Sequence, residues 1–137
     1  MKLYRYQQKL LPKYRVPFCM LINLEDKDRA VLEFKEFQQE LNRGVTREYI
    51  PVTEIVSGVA RGGDRVGEYV ALLHRIHVKK FIPDWDGLGK KAGHVRNAEM
   101  GDYADALLAF WDKKSKGTEN MIKVAKRKGL HVKVVYY

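Results

Sequence analysis

Cysteine is almost missing: Cys19 is the only one in the chain. Its isolation excludes an intramolecular disulfide framework. With only four histidines, scattered along the sequence, the count also argues against a zinc site of the usual Cys/His spacing. No metal and no cofactor is expected. Acids are in deficit, 17 against 26 lysines and arginines, which leaves a formal charge of +9. An anionic partner is therefore sought, be it nucleotide, nucleic acid or acidic surface. No apolar run approaches the ~18 residues of a membrane span, and no apolar stretch follows the basic N-terminus as it does in a secretory signal. A cytoplasmic location without a membrane partner is the expectation. Repeats and low-complexity tracts are lacking. What is present is 137 residues, 45% hydrophobic and 31% charged, which suits one compact domain with its own core.

Residues 1–15 stand apart as a basic extension. They carry Lys2, Arg5, Lys9, Lys13 and Arg15 without an acid, together with Tyr4, Tyr6 and Tyr14. Such an arm binds phosphate backbones and stacks bases, or packs Leu3, Leu10 and Leu11 on the domain with its charges in water. Residues 16–137 then alternate between strand and helix patterns. Val16–Asn23, Glu54–Ser57, Val78–Pro83, Ala106–Phe110 and His131–Tyr136 read as strands. Asp26 or Asp28 caps a helix with Val31, Phe34, Phe37 and Leu41 on one face. A second helix runs from about Asp64 to Ile76, with Val66, Val70 and Leu73 inward. Asp84–Gly93 reads as a long loop, followed by a helix to Tyr103. Thr118 caps a last helix that Gly129 stops. Cys19 reads as a buried thiol, His74 and His77 as surface histidines, and Glu33, Glu36 and Glu40 as a solvent face. The expected architecture is α/β: a Rossmann-like three-layer domain with a mainly parallel five-stranded sheet flanked by helices.

In such a fold, ligands sit beyond the carboxyl ends of the strands, where three loops share one chemical bias. The first is Ser57-Gly58-Val59-Ala60-Arg61-Gly62-Gly63-Asp64. Its glycines let backbone approach an anion, the free amides of the following helix point at it, Arg61 adds a cation, and Asp64 caps the helix or accepts from a ribose hydroxyl. It is not a Walker loop, because the Gly-Lys-Ser/Thr ending is missing. The second is Gly89-Lys90-Lys91-Ala92-Gly93-His94-Val95-Arg96-Asn97, which brings Lys90, Arg96 and Asn97 to a helix start. Trp85, just ahead of it, forms an aromatic wall for a base or plugs the loop against the core. The third is Trp111–Thr118, with Ser115, Gly117 and Thr118 at another helix N-terminus. Solvated lysines and an ordinary cap account for it equally.

The stretches SGVARGGDRVGEYVA, PDWDGLGKKAGHVRNAEM and YADALLAFWDKKSKGTENMI together resemble the YspA-like stand-alone branch of the SLOG (SMF/DprA–LOG) superfamily, over about Glu54 to Val135. The resemblance implies a nucleotide or nucleotide-derived ligand at the strand ends and a homo-oligomer. It gathers Arg61, Gly62, Asp64, Trp85, Lys90, Gly93, Arg96, Asn97, Ser115, Gly117 and Thr118 around the ligand; Ser57 and Gly58 join them from the first loop.

Two departures shape the functional expectation. Such proteins begin with a strand ending in Gly-Ser-Arg, whereas here stands Ile22-Asn23-Leu24-Glu25-Asp26. Lonely-guy enzymes, which resemble this chain around Arg96 to Thr118, release a base from a nucleoside monophosphate. They use an arginine, matched by Arg96, and a glutamate three residues after the Gly-Thr pair, where this chain has Met121. Glu119 is a nearby stand-in and Glu99 a second one. Without a placed carboxylate the expectation is a binding module, a sensor or sequestering protein for a nucleotide-like ligand of, for example, ADP-ribose type. The enzyme alternative is a phosphoribohydrolase with Arg96 and Glu119 as catalytic residues. DprA-like binding of single-stranded nucleic acid, aided by the basic extension, is a third class.

Overall fold

A computed structural model describes residues 14–20, 26–43, 51–59 and 63–137, with the side chains of 14–20, 63 and 64 outside that description. The expectations for the basic arm, for the acidic turn at Glu25 and for Arg61, Gly62 and the side chains of Cys19 and Asp64 therefore lie outside the described residues. The described elements are β1 (Tyr14–Met20), α1 (Lys27–Leu41), β2 (Val52–Ser57), α2 (Gly63–His74), β3 (His77–Lys80), α3 (Trp85–Leu88), α4 (Ala92–Tyr103), β4 (Ala106–Trp111), α5 (Lys116–Arg127) and β5 (His131–Tyr136). The fold is mixed α/β.

The strands lie in the order β3-β2-β1-β4-β5, and the described pairs are parallel. The pairing corrects the expected Rossmann-like three-layer domain with a mainly parallel five-stranded sheet. Hydrogen bonding falls into two short ladders, β1-β2-β3 and β1-β4-β5, that meet only in β1. The reason lies in β1 itself. Tyr14–Pro17 pair with β2, with a register shift after Tyr14, whereas Phe18–Met20 pair with β4. Each half of the strand thus serves one side, so no row of bonds crosses all five strands.

Apolar packing follows the strand period of two. On β4, Ala106, Leu108 and Phe110 face one cluster with Phe34, Phe37 and Leu41 of α1 and Val66 and Val70 of α2. Leu107 and Ala109 face the other, with Met100 of α4 and Met121, Val124 and Ala125 of α5. Burial on both faces explains the unbroken apolar run of β4. The expected inward face of α2 is corrected at one position: Ala71 is buried, whereas Leu73 is 52% exposed. A Cβ at Gly101 would lie 2.7 Å from Val124 Cγ1, so this glycine sets the approach of α4 to α5.

Local expectations are adjusted elsewhere. The segment read as a loop from Asp84 contains α3, capped by the Asp84 side chain, which accepts from the Gly87 N–H at 2.9 Å. Ser115, not Thr118, caps α5. Gly129, at φ +75°, follows the end of that helix. His74 ends α2 and bonds the Val70 carbonyl, while His77 opens β3 and bonds Glu54. Glu33, Glu36 and Glu40 are not merely a solvent face, because all three converge on Lys133 of β5, at 3.4, 3.8 and 2.9 Å. Burial works against the charge on Lys133, but Glu40 and Glu33 outweigh it and raise its pKa. Among the described residues, no group of three or more His, Cys, Asp or Glu is arranged to hold a metal ion, and no helix is long and apolar enough to cross a membrane.

Candidate functional site

The chain leaves β2 through a tight turn at Ser57-Gly58-Val59. Val59 sits at φ +59°, a left-handed conformation that is unfavourable for a β-branched residue. Ser57, 1% exposed, holds that turn. Its Oγ accepts the Val59 N–H at 3.2 Å and donates to Glu68 Oε1 on α2 at 2.9 Å.

Arg96 reaches this turn from α4. Its Nη1 donates to the Gly58 carbonyl at 3.0 Å and its Nη2 to Asn97 Oδ1 at 3.3 Å. Its Nε is buried and has no acceptor among the described residues. A charged donor left in that state costs about 1–3 kcal/mol or more. Close packing explains why residue 58 is glycine: a Cβ there would stand 2.7 Å from Nε and 2.8 Å from Cδ of Arg96. Gly58→Ala therefore expels the guanidinium rather than unfolding the domain. We expect it to move the Arg96 side chain off the turn with little change in melting temperature. Arginine side-chain NMR beside a thermal melt checks this, and an Arg96 Nε–H signal unchanged from the wild type would refute it.

Asn97, 4% exposed, carries the network to α5. Its Nδ2 donates to the Gly117 carbonyl at 3.3 Å and to Asn120 Oδ1 at 2.9 Å. The first turn of α5 is pinned locally. Ser115 Oγ accepts the Thr118 N–H at 3.3 Å and pairs with Thr118 Oγ1 at 3.1 Å, and the Trp111 indole donates to the Ser115 carbonyl at 3.1 Å. Ahead of it, Asp112 Oδ1 accepts the N–H groups of Lys114 and Ser115, at 2.8 and 2.9 Å, and Lys113 takes φ +66°.

Those two backbone bonds, Ser115 first and Lys114 second, hold the Asp112 carboxyl below its ordinary value of 3.8. The folded loop favours the ionised form, so the stabilisation is complete above the unfolded pKa and disappears as pH falls through the lower, folded one. Asp112→Ala is expected to melt earlier than the wild type at neutral pH, with the gap closing in acid below about 3.8. A gap that stays constant across a pH series of melts would argue against this role.

Of the sequence-predicted residues, the structure links Gly58, Arg96, Asn97 and Gly117 by hydrogen bonds from the end of β2 to the start of α5, with Ser57 beside Gly58 in the turn and the separately bonded Ser115 and Thr118 on either side of Gly117. Trp85, 56% exposed, lies beside Gly93, where a Cβ would come 3.6 Å from its ring. Lys90 is exposed, in the 3₁₀ turn Gly89–Lys91. Glu119 is engaged elsewhere: Lys123 at 3.0 Å and Lys116 at 3.6 Å hold its carboxylate and lower its pKa. Met121, 0% exposed, belongs to the core.

Sequence reasoning missed Glu68, Asp112 and Asn120. Asn120 had a signal, since a mid-helix asparagine is a poor helix former that needs a reason. Asp112 had one too, three residues ahead of the small polar cap Ser115. Glu68 had none, because its partner Ser57 belongs to another element. A groove of about 480 Å³ lined by Glu36, Gln39, Glu40 and Arg43 shares no residue with the network, and its two acids against one arginine do not suit an anion.

No family model matches the chain, and no solved structure matches it. It is similar to the Gene 61 protein of Mycobacterium phage D29, 37% identical over 84 residues that span 57% of this chain and 67% of the phage protein. The chain belongs to the family of that Gene 61 protein.

Proposed function

We propose that the protein binds a nucleotide or nucleotide-derived ligand, of ADP-ribose type among others, at the carboxyl ends of β2 and β4, as a cytoplasmic sensor or sequestering protein. The observation that carries this reading is Arg96. A guanidinium is held by the Gly58 carbonyl and Asn97 while its Nε–H lacks an acceptor among the described residues. Phosphate oxygens are the acceptors that suit such a fork. The first-turn amides of α5 add positive potential beside it. Binding rather than cleavage is favoured because Met121 is packed in the core and Glu119 is paired with two lysines. Neither offers a free carboxylate to a glycosidic bond.

Mass spectrometry of small molecules released from the purified, denatured protein, followed by calorimetric titration with mononucleotides, dinucleotides and ADP-ribose, tests the reading. A stoichiometric phosphorylated ligand supports it. Absence of binding across that panel overturns it, and release of free base would move the protein to the hydrolase class.

A further inference from the structure

We propose that His77 is a phosphoryl-accepting histidine, whose Nε2 takes the phosphoryl group of a small acyl phosphate while Glu54 holds the opposite edge of the ring. The site is independent of the nucleotide-binding reading. Glu54 lies early in β2 and His77 opens β3, toward the amino ends of the strands and away from the Ser57–Gly58 turn.

The parallel register sets Glu54 against His77, so both side chains leave the same face of the sheet. His77 Nδ1 meets Glu54 Oε2 at 2.8 Å, and the Tyr103 hydroxyl donates to Glu54 Oε1. An ionised carboxylate only accepts, so the proton of the neutral ring sits on Nδ1 and the lone pair on Nε2. The two partners differ in exposure: the His77 side chain is 70% exposed and that of Glu54 18%. The carboxylate is thus largely screened from water and fixed at both oxygens. The Nδ1 edge of the ring is turned toward it, so the exposure falls on the far edge, where Nε2 has no hydrogen-bond partner among the described residues. A carboxylate behind an imidazole in this way orients it for nucleophilic attack. His94 is exposed too, but no carboxylate among the described residues orients it, and His74 spends its Nδ1 on the Val70 carbonyl.

The surroundings suit an anionic donor. Lys79 stands two residues on, on the same face of β3, with its ammonium 5.9 Å from the Tyr103 ring centroid and 5.8 Å from that of Phe81. Arg75 and Lys80, both exposed, add to the positive potential that draws anions to this edge of the sheet. In the step itself, the Nε2 lone pair attacks phosphorus and an N–P bond forms. The P–O bond to the acyl group breaks, and its electron pair leaves with the carboxylate. The proton stays on Nδ1, and Glu54 balances the positive charge that the ring acquires. His77 is the reacting residue; Glu54 and Tyr103 are positioning residues.

The test is incubation of the full chain with acetyl phosphate at neutral pH, followed by phosphorus NMR and by mass spectrometry that locates phosphate on each histidine. His77 is expected to be phosphorylated at least about tenfold faster than His94 in the same molecule, the range for one hydrogen bond to a charged group. Glu54→Gln keeps the size of the side chain but removes its charge, and should bring that ratio close to one. Tyr103→Phe should lower it partway. A merely structural role for Glu54 would shift the thermal melt and leave the ratio as it is. Phosphate absent from His77, or carried by His77 and His94 at equal rates, overturns the proposal. So does a Glu54→Gln ratio equal to that of the wild type. If Glu54→Gln fails to fold, the wild-type ratio still decides.

Discussion

On the proposed binding reading, Arg96→Ala is expected to lower affinity for nucleotide about a hundredfold, the range for losing a charged, forked hydrogen-bond donor from a partly buried site. Two features direct the loss to binding rather than to folding. Asn97 retains its own bonds to Gly117 and Asn120, so the link between α4 and α5 survives. The Gly58 carbonyl loses its partner but gains water in the space vacated. Arg96→Lys is the informative companion. It keeps the charge yet cannot bond the Gly58 carbonyl, the Asn97 amide and a phosphate together from one rigid plane, and we expect it to recover only part of the affinity. Titration calorimetry of the three proteins at fixed ionic strength measures this. Affinity unchanged in the alanine variant would mean that anions bind elsewhere on this basic chain.

Met121→Glu collapses the fold instead of creating a hydrolase. The resemblance to base-releasing enzymes invites this substitution, since it restores the missing glutamate at its position in the pattern. In this chain the position points inward. Met121 is 0% exposed and packs in the cluster with Met100, Leu107 and Val124. An unpaired carboxylate there costs about 3–5 kcal/mol, a large part of the ~5–15 kcal/mol that holds a domain together. Urea unfolding is expected to show a midpoint far below wild type. Met121→Leu, which conserves volume, should lose less than about 1.5 kcal/mol. A Met121→Glu protein of wild-type stability that releases base from a nucleoside monophosphate would contradict both the packing and the binding reading.

The parts of the site legible in the sequence were those that local chemistry marks. A strand ending in Ser57-Gly58, a cation and an amide at Arg96-Asn97, and a small polar turn at Ser115-Lys116-Gly117-Thr118 each advertise a helix start or a strand end. What remained hidden were pairings between distant segments. Gly58 looked like a residue chosen for a turn, but its lack of a side chain makes room for a guanidinium 38 positions away. Glu68 looked like one more acid on a helix until α2 brought it to Ser57. Glu119 looked like a spare carboxylate until Lys116 and Lys123 occupied it.

The same division separates what the sequence by itself determined from what only the tertiary structure decided. Apolar spacing placed Phe34, Phe37 and Leu41 on one side of α1 and alternated the side chains of β4 between two faces, because helix and strand periods are properties of the backbone. Glycine stopped α5 for the same local reason. The division of β1 between two ladders, the convergence of Glu33, Glu36 and Glu40 on Lys133, and the bonds from Glu68 to Ser57 and from Gly58 through Arg96 and Asn97 to α5 were not local. Each depends on which segments become neighbours, and that is settled by the packing of whole elements, to which short windows of sequence are blind.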